Sequence, residues 1–95
     1  MSLKELIDKG LIKEQSLDTD EVKGSLALAQ RFLDRAKGNL EINFYDVAFL
    51  LAYNSMFHAA RALLFKAGYK ERSHFALIEA VRILYKDDKN IQDFP

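Results

Sequence analysis

The chain has 95 residues, 49% of them apolar, with equal numbers of acidic and basic side chains and no cysteine. This length fits one small domain of marginal stability. The lack of cysteine excludes disulfides, thiolate metal sites and a cysteine nucleophile, and zero net charge gives no strong overall attraction to nucleic acid or acidic lipid.

Targeting signals are the next feature of the sequence. No apolar run at the N-terminus resembles a signal peptide. The apolar stretch between Asp46 and Arg61 is interpreted as too short for a membrane span. Together with the lack of cysteine, these features predict a cytoplasmic protein with no membrane partner.

Four helices and no strand are predicted along the chain. Ser2 caps a short first helix that Gly10 ends, and residues 11–17 form a connector. The second helix begins near Asp18 and ends at Gly38. Its inward positions follow helical spacing, and they are Val22, Leu26, Ala29, Phe32, Leu33, Ala36 and Leu40.

The third predicted helix, Phe44–Lys66, is the most informative segment. Asn43 is placed as its cap, with Asp46 in a capping-box role. The helix is apolar on nearly every side, which predicts that it is buried at the centre of the domain. Its polar side chains form one stripe, which consists of Asn54, His58 and Arg61.

The fourth predicted helix follows a loop over residues 69–72 and is capped by Ser73. Its predicted inward positions are Phe75, Leu77, Ile78, Val81, Leu84 and Tyr85. Residues 87–90 are predicted to form a turn, and residues 93–95 resemble the approach to a further helix. Short connections favour antiparallel neighbours, so the fold class is all-α, an up-and-down antiparallel helical bundle.

The polar stripe of the third helix has two interpretations. As a site, Asn54, His58 and Arg61 could hold a phosphate or a base, with His58 moving a proton near neutral pH. As structure, His58 would bond a backbone carbonyl, Arg61 would pair with a carboxylate of the second helix, and Asn54 would set helix register. The structural interpretation is favoured.

A second candidate site lies at the start of the fourth helix. Lys70, Arg72 and His74 belong to residues 61–86, where six basic and two acidic side chains give a balance of +4. Helix N-termini attract phosphate, so these residues and Arg61 are candidate nucleotide or phosphate ligands. The alternative is an ordinary solvated basic face with an exposed His74, and this alternative is favoured. No metal-binding spacing, phosphate loop or catalytic nucleophile is found in the sequence, so no metal, cofactor or catalytic residue is assigned.

The third helix also predicts association. Tyr45, Phe49, Tyr53 and Phe57 follow helical spacing and are interpreted as core or interface residues rather than a base-stacking surface. Three small neighbours cannot cover so apolar a helix, so a homodimer through the second and third helices is expected.

Two runs of sequence resemble the HEPN (higher eukaryotes and prokaryotes nucleotide-binding) family, in particular its small stand-alone prokaryotic branch. They are AYNSMFHAARALLFKAGY at 52–69 and KERSHFALIE at 70–79. The resemblance covers about residues 20–85 and implies a helical, commonly dimeric domain. It implies that residues 1–95 form a single domain that lacks its C-terminal helix. It also implies a minimal nucleotidyltransferase partner in toxin–antitoxin or defence systems.

Many members of that family are ribonucleases with an Arg-x(4–6)-His motif, which this sequence lacks. Two function hypotheses follow. The first is a nucleotide- or RNA-binding HEPN domain, the toxin-like half of a two-gene module. The second is a non-catalytic dimerisation or partner-docking module, for which a Phe57→Glu variant is expected to be monomeric.

Overall fold

A computed structural model describes residues 1–86 of the chain. Within this range the helices are α1 (Leu3–Asp8), α2 (Thr19–Glu41), α3 (Tyr45–Lys66) and α4 (His74–Leu84). Two short strands, β1 (Ile12–Glu14) and β2 (Tyr69–Glu71), complete the described elements. The four predicted helices and the all-α class are confirmed. The predicted turn at 87–90 and the segment 93–95 lie outside the described residues.

Three predicted helix caps are confirmed. The Ser2 side chain accepts from the Glu5 amide in a capping box, and Asp18 accepts from the amides of residues 20 and 21. Ser73 accepts from the Ala76 amide at the start of α4. Each cap satisfies backbone donors that have no partner inside the helix. The local sequence therefore fixes where these three helices begin.

The prediction of no strand is wrong. β1 and β2 form an antiparallel ribbon in which Ile12 pairs with Glu71 and Lys13 pairs with Lys70. Beyond the ribbon, the amide of Gln15 donates to the carbonyl of Gly68, which adopts a φ of +90°. Strands of three residues are too short to show a two-residue periodicity, so the pattern did not reveal them.

The predicted junction between the second and third helices is also wrong. α2 continues through Gly38 to Glu41, and Asn43 adopts the left-handed conformation with a φ of 66°. Asparagine tolerates this conformation better than most residues, so Asn43 makes the turn instead of capping α3. Phe44 is the residue before α3 and forms no side-chain cap, while Asp46 accepts from the neighbouring Val47 amide.

α2 and α3 form an antiparallel hairpin. The Ser55 hydroxyl donates to the carbonyl of Ala29 at 2.7 Å, which joins the two helices. Nearer the turn, the buried Ala36 of α2 and Ala48 of α3 line the same groove. Small side chains at these levels let the two backbones pack closely.

The main core lies at the end of the hairpin away from the α2–α3 turn. It joins α1, β1, the C-terminal half of α3, and α4; its buried members are Leu6, Ile12, Ala60, Leu64, Ala76, Leu77, Ala80 and Val81. β2 connects α3 to α4, and α4 begins beside Phe57. Phe75, predicted to point inward, is 53% exposed, whereas Ala76 and Ala80 are buried.

The large apolar side chains in the N-terminal half of α3 are exposed, contrary to the sequence-based prediction. Phe49 is 70% exposed and Leu50 is 60% exposed, and on α2 Leu40 is 55% exposed. The hairpin extends past the core, so nothing in the described chain covers these side chains. Tyr45, Phe49 and Tyr53 are therefore not core residues of the single chain, and the interface role predicted as the alternative stays a prediction. Phe57 packs against the core.

The hydropathy of α3 contradicts the prediction that its apolar stretch is too short for a membrane span. The helix has 22 residues and contains an 18-residue window with a mean hydropathy of 1.3, so by length and composition it could cross a membrane. The apolar stretch is thus not too short by this criterion. Length and composition are weak grounds for a span, because core helices of soluble proteins also meet them.

Candidate functional site

His58 lies between α2 and α3 within a group of aromatic rings. Its ring stacks on Phe32 with centroids 5.5 Å apart and planes 9° from parallel. It also makes a T-shaped contact with Phe57, with ring centroids 5.2 Å apart. Its Nδ1 is buried and has no hydrogen-bond partner among residues 1–86. The expected bond to a backbone carbonyl is therefore not formed at Nδ1, and ring stacking holds the side chain.

The environment of His58 favours its neutral form. Burial lowers the pKa of its imidazole below the ordinary 6.5, and the nearby charge of Arg61 lowers it further, with Glu71 acting in the opposite direction. Burial penalises the charged imidazolium because the interior solvates it poorly. His58 therefore contributes a neutral ring to the α2–α3 contact.

This pKa shift predicts a pH dependence of stability. Below about pH 6.5 the unfolded chain binds a proton at His58 more readily than the folded chain does. We expect the free energy of unfolding to fall as the pH is lowered from 7.5 to 5.5. In His58→Phe, which can keep the stack on Phe32, urea denaturation at the two pH values should show a smaller fall. An unchanged fall in the variant would contradict the prediction.

Arg61 forms an ion pair with the ribbon. Its Nε lies 2.8 Å from Oε2 of Glu71, and the two side chains are 25% and 8% exposed. Nε has no hydrogen-bond partner among residues 1–86, so its contact with Glu71 is mainly electrostatic. The guanidinium also lies over the rings of Phe65, 4.9 Å from the centroid, and Phe57, at 5.9 Å. The predicted carboxylate partner is thus supplied by β2 and not by the second helix.

Asn54 does not set the register of the helices. Its amide donates to the carbonyl of Leu50 on the same helix at 3.0 Å. The bond between helices comes from Ser55, which the sequence analysis did not single out. A serine in an alanine-rich helical run is a weak signal, because its hydroxyl can as easily bond its own helix. Asn54, His58 and Arg61 therefore have different partners and do not act together as one polar stripe.

The fold places the four candidate phosphate ligands at different positions; they are Arg61, Lys70, Arg72 and His74. Arg61 is paired with Glu71. Lys70 lies opposite Lys13 in the ribbon, and alternation along β2 places its side chain on the other face from Glu71. Arg72 and His74 are exposed on either side of Ser73 at the start of α4. Only this last pair shares one short segment.

His74 brings an aromatic surface to the start of α4. Its ring lies 4.4 Å from the Phe57 ring and 6.4 Å from the Tyr53 ring, centroid to centroid. We call Tyr53, Phe57, Arg72 and His74 the ring–cation surface. The rings supply flat faces, and the exposed Arg72, two residues before His74 in the chain, supplies a permanent positive charge near the N-terminus of an 11-residue helix. Such a combination suits an anion attached to a planar ring.

Among residues 1–86 there is no group of three or more histidine, aspartate or glutamate side chains arranged to hold an ion. The described part of the protein is thus an all-α domain built on a long α2–α3 hairpin, with a ring–cation surface at the start of its last helix.

The family follows from comparison with known proteins. The family model of the HEPN domain matches residues 22–94, so the chain belongs to the HEPN family. No curated protein matches the chain, and no solved structure does. The matched range covers most of α2 and all of α3 and α4, and it includes the four residues of the ring–cation surface.

Proposed function

We propose that this HEPN domain binds nucleotide or RNA phosphate through its ring–cation surface. The observation that carries the proposal is the packing of His74 against Phe57 and Tyr53, two residues after the exposed Arg72. Membership of the HEPN family supports the same class of ligand.

Three physical features of the surface support phosphate binding. The Ser73 side chain satisfies the Ala76 amide, and the first amides of α4 have no carbonyl partner within the helix. Those amides and the helix dipole favour an anion there. Arg72 adds donors that can contact phosphate oxygens in a bidentate manner. The anion would therefore lie beside the start of α4.

The rings give a reason to prefer a nucleotide over free phosphate. Stacking of a base on an aromatic side chain contributes roughly 1–3 kcal/mol to the binding free energy, whichever base it is. Tyr53 is 39% exposed, so part of its surface is available to a ligand. A ligand with both a phosphate and a base would use the charge and the rings together.

The other two candidates contribute differently. Arg61 holds Glu71 through Nε, so its charge is largely offset and it serves the fold first. Lys70 points from the opposite face of the ribbon and would act on a longer ligand through its charge alone. A ligand that contacts both Lys70 and Arg72 has to be long. These placements therefore favour an extended RNA over a mononucleotide.

Our proposal also includes a physiological role for the domain. A phosphate-binding HEPN domain fits the toxin-like component of a two-gene module with a minimal nucleotidyltransferase partner. The alternative is a non-catalytic module for dimerisation or partner docking, which the exposed flank of the hairpin favours. The two differ in whether RNA binds at the start of α4.

Fluorescence anisotropy with a labelled single-stranded RNA tests the proposal. Arg72→Ala and Lys70→Ala should each weaken binding, and each should reduce the slope of log K against log salt by about 0.7, the value for one lost phosphate contact on a single strand. Arg35→Ala, which removes an exposed arginine from α2, is the matched control and should bind as the unmodified chain does. If Arg72→Ala and Arg35→Ala bind equally, the proposed surface is wrong.

A further inference from the structure

The ribbon of β1 and β2 carries three basic side chains on one of its faces. Lys13 lies directly opposite Lys70 in the antiparallel register. The pairing continues one step beyond β2, where the amide of Arg72 donates to the carbonyl of Leu11 at 2.9 Å. Side chains alternate between the two faces of a strand, so Lys70 and Arg72 share a face, and the opposite Lys13 shares it with them. We call Lys13, Lys70 and Arg72 the basic face.

The other face of the ribbon is directed at the rest of the domain. Ile12 is 1% exposed, and Tyr69 packs against the core. Glu71 lies on this inner face, where it pairs with Arg61 of α3. The ribbon therefore directs the buried carboxylate of Glu71 inward and three cations outward. Only the fold brings these cations together, because Lys13 belongs to a different strand from the other two.

The charges of the basic face are not neutralised by the described chain. Among residues 1–86, none of its three side chains forms an ion pair with a carboxylate. Like charges directly opposite each other in an antiparallel pair are destabilising, so the Lys13–Lys70 pair weakens the ribbon. The Cα atoms of such a pair are about 5 Å apart, so the two charges are close together. A bound anion would offset their repulsion.

We propose that the basic face binds consecutive phosphates of an RNA strand, with Lys13 as a phosphate ligand beside Lys70 and Arg72. This inference rests on the proposed function, because Arg72 belongs to both the basic face and the ring–cation surface. Lys13 lies outside residues 22–94, which the family model matches, so membership of the family does not assign it this role.

The neighbouring rings favour RNA over an acidic protein as the occupant. His74 follows Arg72 by two residues and packs on Phe57 and Tyr53. A strand whose base stacks on these rings would continue with its phosphates across the ribbon. An acidic peptide would use the three charges and leave the rings without a ligand. The basic face therefore extends the ring–cation surface along the backbone of the same ligand.

Fluorescence anisotropy with a labelled single-stranded RNA of about 12 nucleotides tests the inference. Lys13→Ala should weaken binding about fivefold at about 0.1 M salt, because one lost phosphate contact lowers the slope of log K against log salt by about 0.7. Lys37→Ala is the matched control. Lys37 is an exposed lysine of α2 near the α2–α3 turn, at the end of the hairpin away from the core. This control should bind as the unmodified chain does.

A Lys13→Glu variant separates binding from folding. It places a carboxylate opposite Lys70, and opposite charges across an antiparallel pair are stabilising. The midpoint of urea unfolding should therefore be at least as high as in the unmodified chain, while RNA binding should be weaker than in Lys13→Ala. A lysine with only a structural role would not produce these opposite changes. A lower midpoint would contradict the placement of Lys13 against Lys70.

The contrary outcomes distinguish this inference from the proposed function. If Lys13→Ala binds RNA as tightly as Lys37→Ala while Arg72→Ala binds it more weakly, the basic face is wrong and the proposed function stands. If the unmodified chain binds no RNA, both are wrong. A labelled polyglutamate peptide that binds more tightly than the RNA, and loses affinity in Lys13→Ala, would assign the basic face to an acidic protein and overturn the RNA assignment.

Discussion

Replacing Leu64 with alanine is expected to destabilise the protein by about 2–5 kcal/mol. Leu64 is 0% exposed, and it lies in the core that joins α1, β1, α3 and α4. The substitution removes apolar surface and leaves a cavity that close-packed neighbours fill only partly. The total free energy of unfolding of a small domain is roughly 5–15 kcal/mol, so this loss is a large fraction of it.

Urea denaturation followed by far-UV circular dichroism measures this loss. The protein concentration must be the same for every variant, because association would add to apparent stability. Leu17→Ala makes the same chemical change at a side chain that is 56% exposed, and it should cost less than about 0.5 kcal/mol. Similar losses in the two variants would show that Leu64 does not anchor the core.

Replacing Glu71 with alanine is expected to have the second-largest effect. The Glu71 side chain is 8% exposed and lies 2.8 Å from Arg61, so its removal leaves a partly buried cation without its partner. Breaking a buried pair in this way costs about 3–5 kcal/mol; Arg61 is 25% exposed, so we expect about 2–3 kcal/mol. The ribbon should also detach from α3 more readily.

A double-mutant cycle separates this electrostatic effect from lost packing. Arg61→Met keeps a long apolar side chain over Phe57 and Phe65, and with Glu71→Ala it removes both charges. The double variant should be more stable than Glu71→Ala alone, because no unpaired cation remains. If the two single losses simply add, the pair contributes no coupling and the account of Arg61 is wrong.

The comparison of sequence with structure is clearest in α3. Its sequence predicts a long helix ending at Lys66, and this is confirmed. All-round apolarity also predicts burial, and this is wrong for the N-terminal half, where Phe49 is 70% exposed. Apolar composition indicates only that burial of a side chain would be energetically favourable. Whether a neighbour reaches it depends on where the core lies along the hairpin.

The candidate site also combines features that the sequence predicted with contacts that it did not reveal. A serine before an apolar run identified the start of α4, and the proximity of His74 to Arg72 follows from the chain itself. No local pattern revealed that His74 packs on Phe57, that Glu71 pairs with Arg61, or that β1 pairs with β2. These contacts join residues distant in the chain, which helical periodicity does not encode.

The sequence by itself determined the all-α class, three of the helix caps and the HEPN membership, because each depends on local spacing or on motifs within one segment. Only the tertiary structure decided which apolar side chains are buried, which carboxylate faces Arg61, and that the α2–α3 turn projects beyond the core. Burial and ion pairing depend on distances between separate elements, and those distances are set when the hairpin, the ribbon and α4 pack together.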